Sequence, residues 1–307
     1  MRAVAAKGYR QDKLDRIHKL ERKLALLNNF FISRWLILLL ACGLSPHAAR
    51  AADADTAAMQ VRIGGSGGPL ATMPLLAEAF QKTHPQARFV IIPSLGSAGG
   101  IKALRAGAID VALPSRALND AERSPDIIAN EYARTPFVFA AAVRMGLPGI
   151  TRAELVRIYR GEQTTWPDGR TLRLVLRPKM DSDTDVVKTL SPEMSQAVTA
   201  ALARDGMIVA ATDKASADSL ETIPGAIGTA TLTQIISEKR QLQALALDGV
   251  IPSLKTLAEG KYPYYKSFLA VTGPGSSPMA RQFAVFLQSP AARELLRKNG
   301  HGFGPSK

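Results

Sequence analysis

Three short apolar segments of this chain are each followed by a turn of small and polar residues. The segments and their turns are 61–63 with 64–69 (GGSGGP), 88–93 with 96–100 (GSAGG), and 109–113 with 115–116 (SR). Helical patterns over 70–83 and 101–106 separate them, so predicted strands and helices alternate. Such alternation predicts a parallel sheet, and α/β proteins bind ligands at the carboxyl ends of parallel strands. All three turns fall at such ends, so we expect a ligand site at this edge of the sheet.

The segment 94–118 carries the clearest anion-binding signals. Glycines at the start of its predicted helix leave the first amide groups uncovered, and the helix dipole makes this end attract anions. Ser97 and Ser115 add hydroxyl groups, and Arg116 adds a cation with a fork of donors. We predict that this segment forms half of an oxyanion-binding cleft.

A similar polar turn follows the strand predicted over 172–176. Arg177 comes directly after that strand, and Ser182 and Thr184 precede a helix predicted over 185–190. In one interpretation, Arg177 supplies charge to a ligand, and Ser182 or Thr184 contacts the ligand while capping the helix. In the other, the turn only caps the helix, and its aspartates complement the helix dipole without any ligand.

The chain lacks the motifs of several other functional classes. The loop at 64–69 has neither the Lys-Ser/Thr of a P-loop nor good dinucleotide-binding spacing. The four histidines, none of which lies beside the glycine loops at 64–69 and 96–100, are His18, His47, His84 and His301. The sequence contains no H-E-x-x-H, no G-x-S-x-G and no Cys–His pair. We therefore expect a binding protein rather than an enzyme, with no metal and no cofactor.

The positive charge is concentrated near the start of the chain. Of the formal net charge of +13, residues 1–51 contribute +7, from ten Lys and Arg against three Asp and Glu. The remaining +6 is moderate, and it favours recruitment of a small anion over the clustered basic face of a nucleic-acid-binding protein. We therefore expect no nucleic-acid partner.

Residues 1–51 have the three parts of a secretory leader. A basic residue precedes an apolar core at 35–44, and an A-x-A cleavage site ends at Ala51. The core is too short to span a bilayer, which needs ~20 residues, so we predict cleavage after Ala51, a linker at 52–58 and a periplasmic location. The alternative is a lipoprotein anchored through Cys42, the only cysteine of the chain.

A set of motifs spread over about residues 60–305 resembles the phosphate-binding family of periplasmic solute-binding proteins that serve ABC-type uptake systems. The matching residues, in the family's order, are Gly96–Gly100, Asp110, Ser115, Arg116, Leu155, Ile158, Tyr159, Gly161, Trp166, Ile227, Gly228, 248–253 and 260–263.

This resemblance implies a two-lobed type II periplasmic-binding-protein fold of the α/β class, in which each lobe is a mainly parallel sheet flanked by helices. Lobe 1 is then expected over 59–139 and 265–307, and lobe 2 over 140–264. Two crossover strands, near 135–142 and 262–268, would join the lobes. The anion would be bound between them.

The resemblance also implies which residues hold the ligand. The residues at the family's ligand-binding positions are Gly67, Gly68, Leu70, Ser97, Ser115, Arg177, Ser182 and Thr184. Arg116 joins this set on the physical grounds given above.

The chain departs from the family pattern in two places. Some phosphate binders have an aspartate where this chain has Ser115, and the family usually has glycines where Asp181 and Asp183 flank Ser182. Arg177 also lies one residue farther from the threonine than is usual. A carboxylate ~4 Å from a bound anion costs roughly 4 kcal/mol at an effective dielectric of 20, more than the ~0.3–1 kcal/mol that a helix end returns. The two aspartates therefore either point outward, or one takes over the role of the family's aspartate, which accepts a hydrogen bond from protonated phosphate; we hypothesise that Asp183 does.

The function implied by the resemblance is capture of an oxyanion, above all inorganic phosphate. The protein would be a secreted monomer that closes its lobes on the anion and delivers it to an ABC permease in the inner membrane. The alternative is a sensor or accessory binding protein for a phosphate-like anion, without a dedicated transporter.

Overall fold

The computed structural model describes residues 59–304. The predicted leader, its apolar core, Cys42 and the linker at 52–58 lie outside the described residues. Within the described range, no helix is both long and apolar enough to cross a membrane.

The described residues form eleven strands, eleven α-helices and two 3₁₀-helices, Asp120–Glu122 and Val143–Met145. The strands are β1 Gln60–Gly65, β2 Arg88–Ile91, β3 Val111–Leu113, β4 Ile128–Ala142, β5 Gly149–Ile150, β6 Arg173–Leu176, β7 Ile208–Val209, β8 Ala226–Thr231, β9 Leu242–Ala244, β10 Ala246–Leu247 and β11 Tyr265–Thr272. The helices are α1 Gly67–Leu70, α2 Met73–Gln81, α3 Gly96–Arg105, α4 Arg152–Arg160, α5 Ser182–Lys188, α6 Pro192–Ala203, α7 Asp213–Thr222, α8 Leu232–Ser237, α9 Leu254–Ala258, α10 Pro278–Phe286 and α11 Pro290–Lys298.

The main sheet has the strand order β2-β1-β3-β11-β4-β8-β6-β7, and β9 also pairs with β4. We call β1, β2 and β3 its first half and β6, β7 and β8 its second half; within each half, all neighbours are parallel. The long strands β4 and β11 lie antiparallel between the halves. β4 has 15 residues, of which 128–136 pair with β11 and 137–140 pair with β8. The predicted α/β class, with mainly parallel sheets and two long connecting strands, is confirmed.

Separate hydrophobic cores lie on the two halves of the sheet. The first-half core includes Phe80 and Phe283, whose ring centroids are 5.4 Å apart in an edge-to-face arrangement. The second-half core includes Tyr159 and Trp166. The Trp166 indole N–H donates to the carbonyl of Gly225 at 3.0 Å. Trp166 therefore packs in this core and also holds the turn that directly precedes β8.

Some predicted elements have different limits in the structure. The helix expected over 70–83 is two helices, α1 and α2. Pro74 lies in the first turn of α2, where the amide hydrogen that proline lacks would have no partner within the helix. The helix expected from residue 101 begins already at Gly96. The strand expected over 242–247 is two strands, β9 on β4 and β10 on β5. The second crossover, expected over 262–268, is β11, which begins and ends a few residues later.

The chain after α11 crosses β4, and there it buries a histidine. Gly302 pairs with Arg134 of β4. The neighbouring His301 is fully buried, and its Nδ1–H donates to the carbonyl of Leu296 at 3.0 Å. Burial lowers the pKa of His301 to about 4, because the apolar surroundings disfavour the charged imidazole.

His301 makes stability depend on pH. Its pKa is lower in the folded protein than the value of about 6.5 in an unfolded chain, so the unfolded state binds the extra proton first. The contribution of His301 is fully present above pH 6.5 and is lost as the pH falls to about 4, a decrease of about 3 kcal/mol. Urea unfolding at pH 7 and pH 4.5 measures this change. In His301→Phe, the free energy of unfolding should change less between these two pH values than it does in the parent. A parent protein equally stable at both pH values would contradict the prediction.

Candidate functional site

Four serine hydroxyls from four separate segments meet at the carboxyl ends of the parallel strands. Ser115, after β3, donates its hydroxyl hydrogen to Ser66 Oγ at 3.1 Å, and Ser66 directly follows β1. Ser97 Oγ, in the first turn of α3, lies 3.3 Å from Ser115 Oγ and accepts the Ser115 amide at 3.1 Å. Ser182, the first residue of α5, lies 3.0 Å from Ser115 on the opposite side. All four are buried, so the predicted shared edge of polar turns is present.

Arg177 brings a buried guanidinium to the same cluster from the end of β6. Its Nη1 donates to the carbonyl of Ala210 at 2.9 Å, and its Nη2 donates to Asp181 Oδ2 at 2.7 Å. Burial would lower the pKa of Arg177, but the charges of Asp183, Asp213 and Asp181 outweigh burial and hold that pKa above its usual value. Arg177 therefore remains a cation at the base of the cleft.

Lys266 is a second buried cation, which the sequence analysis missed. It lies on β11, is only 2% exposed, and donates from Nζ to Ser182 Oγ at 2.6 Å and to Asp183 Oδ1. The signal for it was available, because a lysine stands within the otherwise largely apolar segment YKSFLAVT. Lysine is almost never fully buried unless it is paired, so one in a predicted crossover strand should have been assigned to the site.

Asp183 is the partner that holds Lys266. It is buried, and its Oδ2 accepts a hydrogen bond from Thr229 Oγ1 at 2.9 Å and lies 3.9 Å from Arg177 Nε. Burial would raise the pKa of Asp183, but Lys266 and Arg177 outweigh burial and lower that pKa below its usual value. The carboxylate is thus ionised and compensated by the protein.

The two aspartates that flank Ser182 both face cations rather than solvent. Of the two arrangements considered above, the outward-pointing one is wrong, because Asp181 pairs with Arg177 and Asp183 pairs with Lys266. These pairings offset the repulsion that an unpaired carboxylate would exert on a bound anion. Acceptance by Asp183 of a hydrogen bond from protonated phosphate stays a prediction.

The start of α5 also differs from the expected one. The helix begins at Ser182, and its N-cap is Asp181, whose Oδ1 accepts the Asp183 amide at 2.8 Å; neither Ser182 nor Thr184 is the cap. The Thr184 hydroxyl lies 2.9 Å from the carbonyl of Pro178 and 3.2 Å from that of Arg177. Thr184 therefore holds the turn that carries the guanidinium, and Ser182 alone of the two predicted hydroxyls joins the serine cluster.

The first glycine loop closes the cleft from the other side. The Gly67 amide donates to Asp213 Oδ2 at 2.9 Å, across the gap between the two halves of the sheet. A Cβ on Gly68 would lie 3.2 Å from the ring of Phe268 on β11, so the loop packs closely on that strand. Leu70 is half-buried and, with Gly67, lines an open groove of about 450 Å³ beside the cluster.

Arg116 is placed differently from the other predicted ligand residues. Its guanidinium forms a two-pronged ion pair with Glu122, at 2.6 and 2.8 Å, and also donates to the carbonyl of Ala117. The pKa of Glu122 is lowered, chiefly by the hydrogen bond from Arg116. None of these partners belongs to the serine cluster, so the structure pairs the Arg116 guanidinium with Glu122 and does not bring it into that cluster.

The assembled cluster is rich in charge and in hydroxyl groups. Two cations, Arg177 and Lys266, face the buried carboxylates of Asp183 and Asp213 and the partly buried carboxylate of Asp181, for a formal balance of −1. Within residues 59–304, no group of three or more His, Cys, Asp or Glu side chains is arranged to hold a metal ion. The chemistry that this arrangement offers is recognition of a polar ligand through several donors, from both halves of the sheet at once.

Comparison with known proteins identifies related molecules. The model of a PBP superfamily domain matches residues 50–291. Phosphate-binding protein PstS of Bacillus subtilis (strain 168) is 23% identical over 279 residues, which cover 88% of this chain and 89% of that protein. A phosphate ABC transporter substrate-binding protein from Clostridium perfringens, solved with bound phosphate, superposes with a TM-score of 0.66 at 20% identity, over 79% of this chain and 98% of the other. An ABC-type phosphate transport receptor from Vibrio cholerae superposes with a TM-score of 0.58 at 20% identity, over 80% and 100% of the chains. These structures share the fold described above.

Proposed function

The chain belongs to the PBP superfamily. On that premise, we propose that it is a solute-binding protein that captures an oxyanion, namely inorganic phosphate, between the two halves of its sheet. The observation that carries the proposal is the convergence of Ser97, Ser115 and Ser182 with Arg177 and Lys266. Hydroxyl donors and two buried cations are the groups that a tetrahedral oxyanion requires. The named relatives, which bind or transport phosphate, support phosphate as the ligand.

The proposed binding motion is closure of two lobes about the crossover strands. In this proposal, lobe 1 is the predicted 59–139 with 265–307, and lobe 2 is the predicted 140–264. Ser115 and Ser182 come from opposite lobes, and so do Gly67 and Asp213. An anion that contacts donors on both sides binds the closed arrangement more tightly than the open one, so it shifts the population toward closure.

The proposed site contains the residues that the sequence indicated, except Arg116, which Glu122 holds, and it also contains Lys266. The ligand-facing groups are Gly67, Gly68, Leu70, Ser97, Ser115, Arg177, Ser182, Asp183 and Lys266, with Thr184 holding the turn at Arg177. No step of bond making or breaking belongs to this proposal, which is binding without catalysis.

The cellular role that follows is delivery of the anion to an ABC permease by a monomeric, secreted protein. Two observations support this role: the leader predicted over 1–51, and the similarity of this chain to proteins that are named for phosphate binding or phosphate transport. Sensing without a dedicated transporter is the second candidate, but no feature of the described site favours it.

A ligand screen tests the proposed function. The purified protein is heated in the presence of phosphate, sulfate, molybdate, a phosphonate or a phosphate ester, and the hits are confirmed by calorimetry. A ligand at 100 times its Kd stabilises a folded protein by about 2.7 kcal/mol, which is readily detected as a shift in Tm. We expect phosphate to give the largest shift. Absence of stabilisation by every anion, at millimolar concentration, would refute an oxyanion-binding function.

A further inference from the structure

Asp213 is the one carboxylate of the cluster that bridges the two halves of the sheet. It is the first residue of α7, it is buried, and its Oδ2 accepts the Gly67 amide at 2.9 Å. The same oxygen lies 3.8 Å from Arg177 Nη2. One carboxylate oxygen thus faces a backbone amide of the first half and the guanidinium of the second.

These two donors belong to the proposed ligand site. The Gly67 amide and the Arg177 guanidinium are both among the groups proposed above to face the oxyanion. A carboxylate oxygen and a phosphate oxygen make the same kind of charge-assisted hydrogen bond with such donors. The Asp213 carboxylate and a ligand oxygen therefore compete for the same place.

Asp213 is also the most weakly held of the three carboxylates. Asp183 is bound by Lys266 and by the Thr229 hydroxyl, and Asp181 is bound by Arg177 and by a backbone amide. The Asp213 carboxylate has a single hydrogen bond, the one from Gly67, among the contacts of the described chain. Movement of Asp213 out of the cluster would also change the formal balance of the cluster from −1 to 0, which favours entry of an anion.

We propose that the Asp213 carboxylate is an internal competitor of the ligand. It occupies the place of one oxyanion oxygen, holds the two halves of the sheet together there, and raises the Kd of every oxyanion that has to displace it. Weakly bound anions are thereby excluded. This inference rests on the proposed function, and it identifies Asp213 as the residue that sets the affinity of the protein for the oxyanion.

The first test is calorimetry with inorganic phosphate on the parent protein and on Asp213→Asn. The asparagine keeps the size of the side chain and removes its charge, so the Kd of phosphate is expected to fall about tenfold or more. Asp218→Asn is the matched control, because Asp218 lies on the same helix but pairs with Lys214 and Arg240, outside the cluster. Its Kd should equal that of the parent.

Two results of this titration would overturn the inference. Weaker phosphate binding by Asp213→Asn would mean that the carboxylate helps to bind the ligand. An unchanged Kd would mean that the carboxylate does not occupy the ligand's place.

A second test does not require phosphate to bind. Small-angle X-ray scattering of the ligand-free protein should give a larger radius of gyration for Asp213→Ala than for the parent, with Asp218→Ala unchanged. If the parent and Asp213→Asn both fail to bind phosphate, the proposed function is wrong. The scattering then still tests whether Asp213 holds the two halves of the sheet together. An Asp213→Ala radius equal to that of the parent would then refute it.

Discussion

Replacement of Lys266 by methionine is expected to lower the free energy of unfolding by about 3–5 kcal/mol and to abolish phosphate binding. Methionine fills much of the same volume, but it leaves Asp183, which is 2% exposed, without the ammonium group that now bonds to its Oδ1. Breaking a buried ion pair from one side costs about this much, because the remaining charge stays buried and uncompensated. Chemical denaturation measures the loss of stability, and calorimetry measures binding.

Two further variants separate the ion pair from general damage at this position. Lys261→Met is the matched control, since Lys261 lies at the exposed end of the preceding loop and pairs with Glu259 at the surface; its stability should change by less than about 1 kcal/mol. The double variant Lys266→Met with Asp183→Leu removes both charges and should recover part of the lost stability. A single variant as stable as the parent would show that the pair does not hold the cleft.

Replacement of Arg177 by glutamine is expected to weaken phosphate binding about 30-fold or more. The guanidinium is buried at the base of the cluster, and loss of a buried charged donor in a binding site costs about 2–5 kcal/mol, where 1.4 kcal/mol corresponds to a factor of ten. Calorimetry on the folded variant, checked by circular dichroism, provides the measurement.

The control for Arg177 is the other arginine that the sequence placed in the site. Arg116 is engaged by Glu122, so Arg116→Gln is expected to change the phosphate Kd by less than roughly threefold. From the sequence alone, the two arginines would be expected to contribute alike. If Arg116→Gln weakened binding as much as Arg177→Gln, the assignment of the site to the cluster around Ser115 would be refuted.

The parts of the fold that were predictable are those set by neighbours in the sequence. The apolar runs at 61–63 and 88–93 and the turns after them specify strands and their ends, because side-chain periodicity and glycine act within a few residues. The meeting of Ser97 and Ser115 followed from the rule that parallel strands present their carboxyl ends at one edge. The limits of α2 and α3 were less accurate, because caps and tertiary packing shift the ends of helices by several residues.

The partners of the charged residues were not predictable in the same way. Arg116 looked available because nothing in the turn at 113–116 reveals that Glu122 folds back onto it. The aspartates at 181 and 183 looked repulsive toward an anion because their counter-charges, Arg177 and Lys266, include one that lies more than 80 residues away in the chain. The sequence does not mark Asp213 as a site residue, because acidic residues are common in the first turn of a helix.

The order of residues was therefore enough to specify an α/β chain with polar turns at one sheet edge and serines that meet there. Those features depend on local conformational preference and on a general rule of sheet topology. Which cation faces which carboxylate, and that Asp213 reaches the Gly67 amide, emerged only when β4 and β11 brought the two halves of the sheet together. Electrostatic compensation depends on distances of a few ångströms between residues far apart in the chain, and only the folded molecule fixes such distances.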